Sequence, residues 1–187
     1  MLAGVDEAGR GCLAGPVVAA AVILDPQLDK SLFKDSKLLS EQKRDVLFSL
    51  LNDSKSFIGL SIISNQEIDK INILNATMNA MKEAILNLSS NPDKIIVDGN
   101  KAPKIDKLLI ESKIRGDQLI PEISAASIIA KVTRDNMMKD VALKYPGYEF
   151  EINKGYGTKA HYKALFEKGI TPIHRLSFNL NQQETLF

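Results

Sequence analysis

Two adjacent carboxylates sit among glycines near the start of the chain, in Gly4-Val5-Asp6-Glu7-Ala8-Gly9-Arg10-Gly11. Neighbouring side chains on a strand point to opposite faces. Asp6 and Glu7 can therefore serve one site only where the strand ends or bends, and Gly9 and Gly11 permit that bend. Converging carboxylates suit a hard divalent cation, and bare glycine backbone lets N–H groups approach a phosphate. Alone, the segment also reads as an acidic turn after a first strand. Two further acids follow apolar stretches, Asp98 in Val97-Asp98-Gly99-Asn100 and Asp117 in Ile114-Arg115-Gly116-Asp117. In α/β sheets ligands gather outside the carboxyl ends of strands. Mg²⁺ and Mn²⁺ take oxygen ligands and keep several waters, so a few carboxylates suffice. A pair of such ions roughly 4 Å apart can clamp the attacking and leaving oxygens of a phosphodiester. The two histidines, His161 and His174, show no zinc-like spacing.

The elements that must position these acids are legible from pattern. Short β-rich runs predict strands at 2–5, 17–24 and 56–63. A helix is expected over about 40–51, with Asp35 as its cap. A longer one is expected over about 67–88, opened by Ser64 and Glu67 in capping-box spacing. Its apolar positions Ile71, Leu74, Met78, Met81, Ile85 and Leu88 recur every three or four residues. Strands at 94–97 and near 108–114 follow, then helices at about 124–145 and 159–168, the last capped by Thr158. Three early strands followed by helix–strand alternation predict an α/β protein with a mixed sheet.

Other residues share faces or sit in suggestive company. Asn72, Asn75 and Asn79 are spaced to lie on one helical stripe, either for hydrogen bonding to a nucleic-acid backbone or as a plain solvated face. Ser124, Ser127, Lys131 and Arg134 form a second stripe suited to phosphates. Lys37 is a further phosphate candidate, and Asp135 reads as structural. His174 reads as a core histidine.

These segments together resemble the bacterial ribonuclease HII family. The resemblance rests on Asp6-Glu7-Ala8-Gly9-Arg10-Gly11, Asp35-Ser36-Lys37, the 72–78 segment Asn-Ile-Leu-Asn-Ala-Thr-Met, Val97-Asp98-Gly99-Asn100 and Gly116-Asp117. It continues through the 121–132 segment, Lys154-Gly155-Tyr156 and His174-Arg175-Leu176-Ser177-Phe178. It implies a ribonuclease-H-like α/β fold, a mixed five-stranded sheet flanked by helices, in one domain over 1–187. A small C-terminal helical extension from about 150 and a flexible tail complete that picture. By resemblance, Asp6, Glu7, Asp98 and Asp117 bind metal and are essential, with one Mg²⁺ or Mn²⁺ before substrate and two with it. The implied activity is hydrolysis of the RNA strand of RNA–DNA hybrids and incision of DNA 5′ to embedded ribonucleotides. Gly9, Arg10 and Gly11 are expected at the ribose 2′-hydroxyl, the group that separates RNA from DNA. Tyr156 is expected against the next deoxyribose. The chain's last residues, Gln183-Glu184-Thr185-Leu186-Phe187, are similar to a peptide that bacterial replication proteins insert into the sliding clamp; a frayed tail is the alternative.

Composition bounds the reading. The chain has 187 residues, and 24 basic against 23 acidic residues give a net charge of +1. That excludes a strong global field, so binding to nucleic acid must come from local pattern. Cys12 stands alone and forms no internal disulfide. The longest run without polar side chains, 13–24, is too short to span a bilayer. A cytoplasmic monomer is expected. A DNA nuclease or transposase-like strand cutter would share the acids but would have no use for the glycine turn with Tyr156. A non-catalytic hybrid-binding module would lack the carboxylates.

Overall fold

In the computed structural model, which describes residues 1–33 and 39–181, five strands form one sheet. They are β1 (Leu2–Ala8), β2 (Val17–Ile23), β3 (Phe57–Ile63), β4 (Lys94–Asp98) and β5 (Ile110–Lys113), in the order β3-β2-β1-β4-β5. β2 is antiparallel to both its neighbours, while β1 with β4 and β4 with β5 are parallel. The helices are α1 (Glu41–Asp53), α2 (Asn65–Leu86), α3 (Gly116–Leu119), α4 (Pro121–Lys144), α5 (Phe150–Asn153) and α6 (Lys159–Lys168). The mixed five-stranded α/β architecture is the one the sequence predicts.

The sheet is covered on both faces, which explains why β2 is apolar and buried throughout. Against one face, Ala3, Val5, Ala19 and Ala21 pack on Ile68, Ala80, Met81 and Ala84 of α2. Against the other, Val18, Ala20 and Val22 pack on Leu47 and Leu51 of α1 and on Ile128 and Ile129 of α4. Contact is close enough to dictate residue size. A Cβ on Gly4 would stand 2.1 Å from the Glu122 carbonyl carbon, so only glycine admits the first turn of α4 onto β1.

Several boundaries differ from expectation for physical reasons. β1 does not stop at Val5 but pairs with β2 through Ala8↔Val18. α4 starts at Pro121, whose fixed φ suits a first helical position, not at Ser124. Ser40 caps α1, its hydroxyl accepting from the Lys43 N–H; Asp35, expected there, lies outside the described residues. Ser64 caps α2 and Thr158 caps α6 as anticipated. Inside α2, Asn72 adopts φ 66° and ψ 163°, which breaks the helix and shifts its phase. Leu74 is consequently 37% exposed, and Ala76, Ala80 and Ala84 face the sheet in its stead.

Beyond α4 the chain returns to grip the β1–β2 loop. Leu13 N–H donates to the Gly155 carbonyl, Gly15 N–H to Ile173 and Arg175 N–H to Leu13. Tyr148, Phe150, Ala164 and Leu165 close over Leu13, Ala14 and Met138. At the centre lie His161 and His174, with Nε2 atoms 3.0 Å apart and almost no exposure. Their protons follow from their partners. His161 Nδ1 lies 2.9 Å from the Tyr156 carbonyl, so it carries a proton and its Nε2 is bare. His174 Nε2 must then donate to it, leaving His174 Nδ1 to accept from the Thr171 N–H at 2.8 Å. Every nitrogen is satisfied only while both rings are neutral.

Burial lowers the His174 pKa from 6.5 to about 4, with repulsion from His161 second. Between those values the unfolded chain binds a proton that the folded chain refuses. This contribution to stability is therefore full above pH 6.5 and is lost as pH falls toward 4, on the order of 2 kcal/mol. Thermal unfolding from pH 7.5 to 4.5 should show a falling melting temperature, with a flatter profile for His174→Gln. Equal slopes in the two proteins would refute the proton arrangement.

Candidate active site

Strand register brings the first acids together. β1 and β4 pair in parallel from Leu2↔Lys94 to Val5↔Val97, and the next residue on each strand is an aspartate. Asp6 and Asp98 thus stand side by side where the parallel ladder ends. β1 continues against β2 alone, which leaves its other edge uncovered at Asp6 and Glu7. A cleft of about 380 Å³ opens there, lined by Asp6, Glu7, Asp98, Gly9, Arg10, Gly11, Arg44, Ser127, Lys131 and Tyr156. No bend in β1 is needed for Asp6 and Glu7 to reach one space.

The cleft is electrostatically frustrated. Asp6 is 5% exposed, and its pKa lies well above the usual carboxylate range. Burial is the main cause, followed by repulsion from Glu7 and then Asp98; the Ser127 hydroxyl and the Glu7 N–H, 2.8 Å away, partly offset it. Burial also raises Glu7, against the pull of Arg10, whose Nη1 lies 3.2 Å from Oε1. Asp98 accepts the Gly116 N–H at 2.7 Å, which aims its carboxylate. Among the described residues no three acids, histidines or cysteines already stand as a cation cage. The donors nonetheless fit a hard cation in kind. They are carboxylate oxygens, they repel one another, and they line one cleft, so a divalent ion would turn mutual repulsion into attraction.

The remaining sequence candidates divide. Gly9, Arg10, Gly11, Ser127, Lys131 and Tyr156 line the cleft with the acids. Gly11 has open space where a Cβ would stand, so nothing inside the protein requires glycine at this position. Tyr156 has a fixed backbone and a partly exposed ring. Its N–H donates to Asn153, its carbonyl accepts from Thr158 and His161, and the side chain keeps 42% exposure. Lys131 Nζ and Arg134 Cζ each lie 5.9 Å from its ring centroid. Asp117 is wholly buried next to Gly116 and does not line the cleft.

The helix-face candidates are placed differently from one another. Ser124 is fully buried, because the first turn of α4 presses onto β1, so it presents nothing to a ligand. Arg134 is also fully buried, donating to the carbonyls of Ala14, Pro16 and Lys154. Asn72 and Asn75 are exposed at the break in α2 and do not line the cleft; the Asn72 side chain accepts the Asn75 N–H at 3.1 Å. Lys37 and the 183–187 peptide lie outside the described residues. Asp135 pairs with Lys131 at 2.7 Å.

Arg44 on α1 lines the cleft and was not singled out from sequence; nothing in its spacing marks it, since only tertiary packing brings α1 to this rim. Arg175 also escapes spacing arguments. It is fully buried, and burial draws its pKa down to about 10.

Comparison with known proteins fits this geometry. The ribonuclease HII family profile matches residues 3–181. The chain is 49% identical to ribonuclease HII of Pelagibacter ubique, covering 96% of each chain. It is 48% identical to that of Coxiella burnetii strain RSA 493, covering all of this chain and 92% of the other. Ribonuclease H2 from Pyrococcus horikoshii superposes with a TM-score of 0.78 at 30% identity, over 96% of this chain and 94% of that one. Ribonuclease HII in the PCNA:RNase HII complex from Archaeoglobus fulgidus superposes with 0.79 at 26% identity, over 100% and 98%. With its acid cleft, its mixed sheet and near full-length identity of about one residue in two, the chain belongs to the ribonuclease HII family of nucleic-acid hydrolases.

Proposed function

We propose that the protein hydrolyses the RNA strand of RNA–DNA hybrids and incises duplex DNA 5′ to an embedded ribonucleotide, leaving 3′-hydroxyl and 5′-phosphate ends. The observation that carries this reading is one cleft with mutually repelling carboxylates on one wall and a bare glycine turn with an aromatic ring on another. The first suits phosphodiester hydrolysis; the second suits recognition of a sugar.

In this reading Asp6, Glu7 and Asp98, with Asp117 behind them, hold Mg²⁺ or Mn²⁺, one ion at first and a second with substrate. Bound there, such ions supply a nucleophilic water and offset charge on the phosphoryl group and leaving oxygen. The chain's own groups do the rest. Ser127 holds the Asp6 carboxyl and Gly116 holds that of Asp98, so neither needs to reorganise when substrate arrives. Backbone groups of Gly9, Arg10 and Gly11 meet the 2′-hydroxyl, where a side chain would intrude. The Tyr156 ring packs on the following deoxyribose, and a sugar with a 2′-hydroxyl fits that face poorly. Lys131, Arg44 and Arg10 supply positive charge for phosphates on a chain of nearly zero net charge.

The acid cluster can be tested for activity and stability at once. Asp6→Asn and Asp98→Asn should each lower turnover of a one-ribonucleotide duplex in Mg²⁺ or Mn²⁺ by roughly three orders of magnitude. Because the Asp6 pKa is raised on folding, its ionised form costs stability at neutral pH. Metal-free Asp6→Asn should therefore melt a few degrees higher than wild type, roughly 2–4 °C per kcal/mol of relief. Activity within tenfold of wild type would remove the hydrolytic assignment.

Gly11→Ala separates recognition from folding. The added methyl meets nothing in the protein, so the melting temperature should hold or rise slightly. The KM for a one-ribonucleotide duplex should rise about tenfold, as one lost hydrogen bond implies. An unchanged KM would mean that the turn does not approach the sugar.

A sliding clamp is the proposed protein partner, through Leu186 and Phe187 as apolar anchors of an extended peptide. The similarity to an archaeal relative solved with PCNA supports it. Removing residues 186–187 should abolish clamp binding by surface plasmon resonance and leave hydrolysis intact; undiminished binding rejects the assignment.

A further inference from the structure

The fully buried guanidinium of Arg175 makes all its hydrogen bonds to the loop that carries the glycine turn. Nη2 donates to the Gly9 carbonyl at 2.7 Å and to Pro16 at 3.1 Å, Nη1 to Arg10 at 2.9 Å, and Nε to Gly15 at 3.0 Å. Its bonds grip the loop at both ends and leave no carboxylate partner in that set. The Phe178 ring lies 5.1 Å from Cζ and covers the guanidinium; burying a cation is costly all the same, and a neutral core residue could not hold four carbonyls at once.

The peptide bond supplies the reason. In a planar trans peptide the carbonyl and the next N–H point in opposite directions. The Gly9 carbonyl shares its peptide with the Arg10 N–H, and the Arg10 carbonyl with the Gly11 N–H. Drawing both carbonyls inward to one planar fork therefore turns the N–H groups of Arg10 and Gly11 outward. Gly9 at φ 96° makes the first of these orientations accessible. Arg10 and Gly11 are exposed and line the acid cleft. Bonds to a cation also polarise the peptides, which makes their N–H groups stronger donors.

Arg175 is itself held from two directions. Its N–H donates to the Leu13 carbonyl. Asp69 on α2 accepts the N–H groups of Leu176 and Ser177 at 3.0 and 2.9 Å. The segment that carries Arg175 is thus fastened to the first turns of α2, while its fork sets two peptide planes at the cleft.

We infer that Arg175 is the positioning residue that presets the Gly9-Arg10-Gly11 turn for the ribose, so that discrimination between ribonucleotide and deoxyribonucleotide depends on a side chain that never touches substrate. This rests on the reading that the turn senses the 2′-hydroxyl. Lysine carries the same charge but cannot reach four carbonyls in one plane.

The test compares wild type, Arg175→Lys and Arg175→Gln by KM for a one-ribonucleotide duplex, by the inhibition constant of the matching all-DNA duplex, and by half-saturation with Mn²⁺. Both variants should raise KM about tenfold while the all-DNA inhibition constant and the Mn²⁺ requirement stay within twofold. A merely structural role would move all three together, and that result overturns the inference. So does a variant that keeps wild-type KM. If wild type itself bound the two duplexes equally, the sugar-sensing reading would fall first; discrimination kept by both variants defeats only the role of Arg175. A second readout does not rely on either variant folding. In labelled Asp6→Asn protein, the Arg175 Nε–H resonance should shift on binding the one-ribonucleotide duplex and not on binding all-DNA duplex. An identical response to both duplexes overturns the inference.

Discussion

The parallel pairing of β1 with β4 is the constraint on which the site depends. The ladder stops at Val5↔Val97, and the next residue on each strand is a carboxylate, still held in the sheet by its other neighbour, Asp6 against β2 and Asp98 against β5. Burying Asp6 beside Glu7 and Asp98 is costly: burial first, then repulsion from Glu7 and from Asp98, raises its pKa. The sheet enforces it because β1 and β4 are locked from both faces, by α2 on one side and α4 on the other. Gly4 is central to that lock: any side chain there would push α4 off β1 and carry Ser127 away from Asp6.

Much of this was legible in the sequence. Strand cores follow from β-rich runs bounded by turn residues, and three helix starts follow from Ser40, Ser64 and Thr158, though only the last two are recognised as caps. The cleft-lining acids are legible because each follows an apolar run. What escapes the sequence is non-local. The end of β1 is set by its ladder with β2, which no local signal states. The break at Asn72, at φ 66° and ψ 163°, lies in a region nearly confined to glycine, inside a run whose periodicity looks unbroken. Ser124 and Arg134 share a stripe with Ser127 and Lys131, yet the former pair is buried and the latter lines the cleft. Helical spacing locates a face; only packing decides which part of that face is covered.

The same limit explains Arg175. An arginine late in the chain, among residues that read as a core or a loop, gives no hint that its partners lie some 160 residues earlier. Its meaning depends on the return of the C-terminal segment along the β1–β2 loop, through Leu13, Gly15 and the isolated bridges of Cys12 with Tyr156 and Ala14 with His174. That return also joins the two halves of the recognition surface. The glycine turn and Tyr156 are far apart in sequence but tied together through the bridge of Cys12 with Tyr156 and the Leu13–Gly155 bond next to it, so their separation is fixed by backbone geometry.

The arrangement of charge completes the argument. In the cleft, three carboxylates repel one another. Under the turn, Arg134 and Arg175 are buried with carbonyl oxygens as their hydrogen-bond acceptors and the rings of Tyr156 and Phe178 beside them. A carboxylate beside either arginine would satisfy it more strongly, but would also compete for the guanidinium donors that hold the turn. It would, in addition, add negative charge close to acids already strained by their neighbours. Carbonyl partners avoid both effects, because each bond to a carbonyl fixes a peptide plane whose opposite end is an N–H. Under the role inferred for Arg175, the positive charge beneath the loop reaches the cleft as oriented backbone dipoles, the kind of donor that suits a neutral hydroxyl.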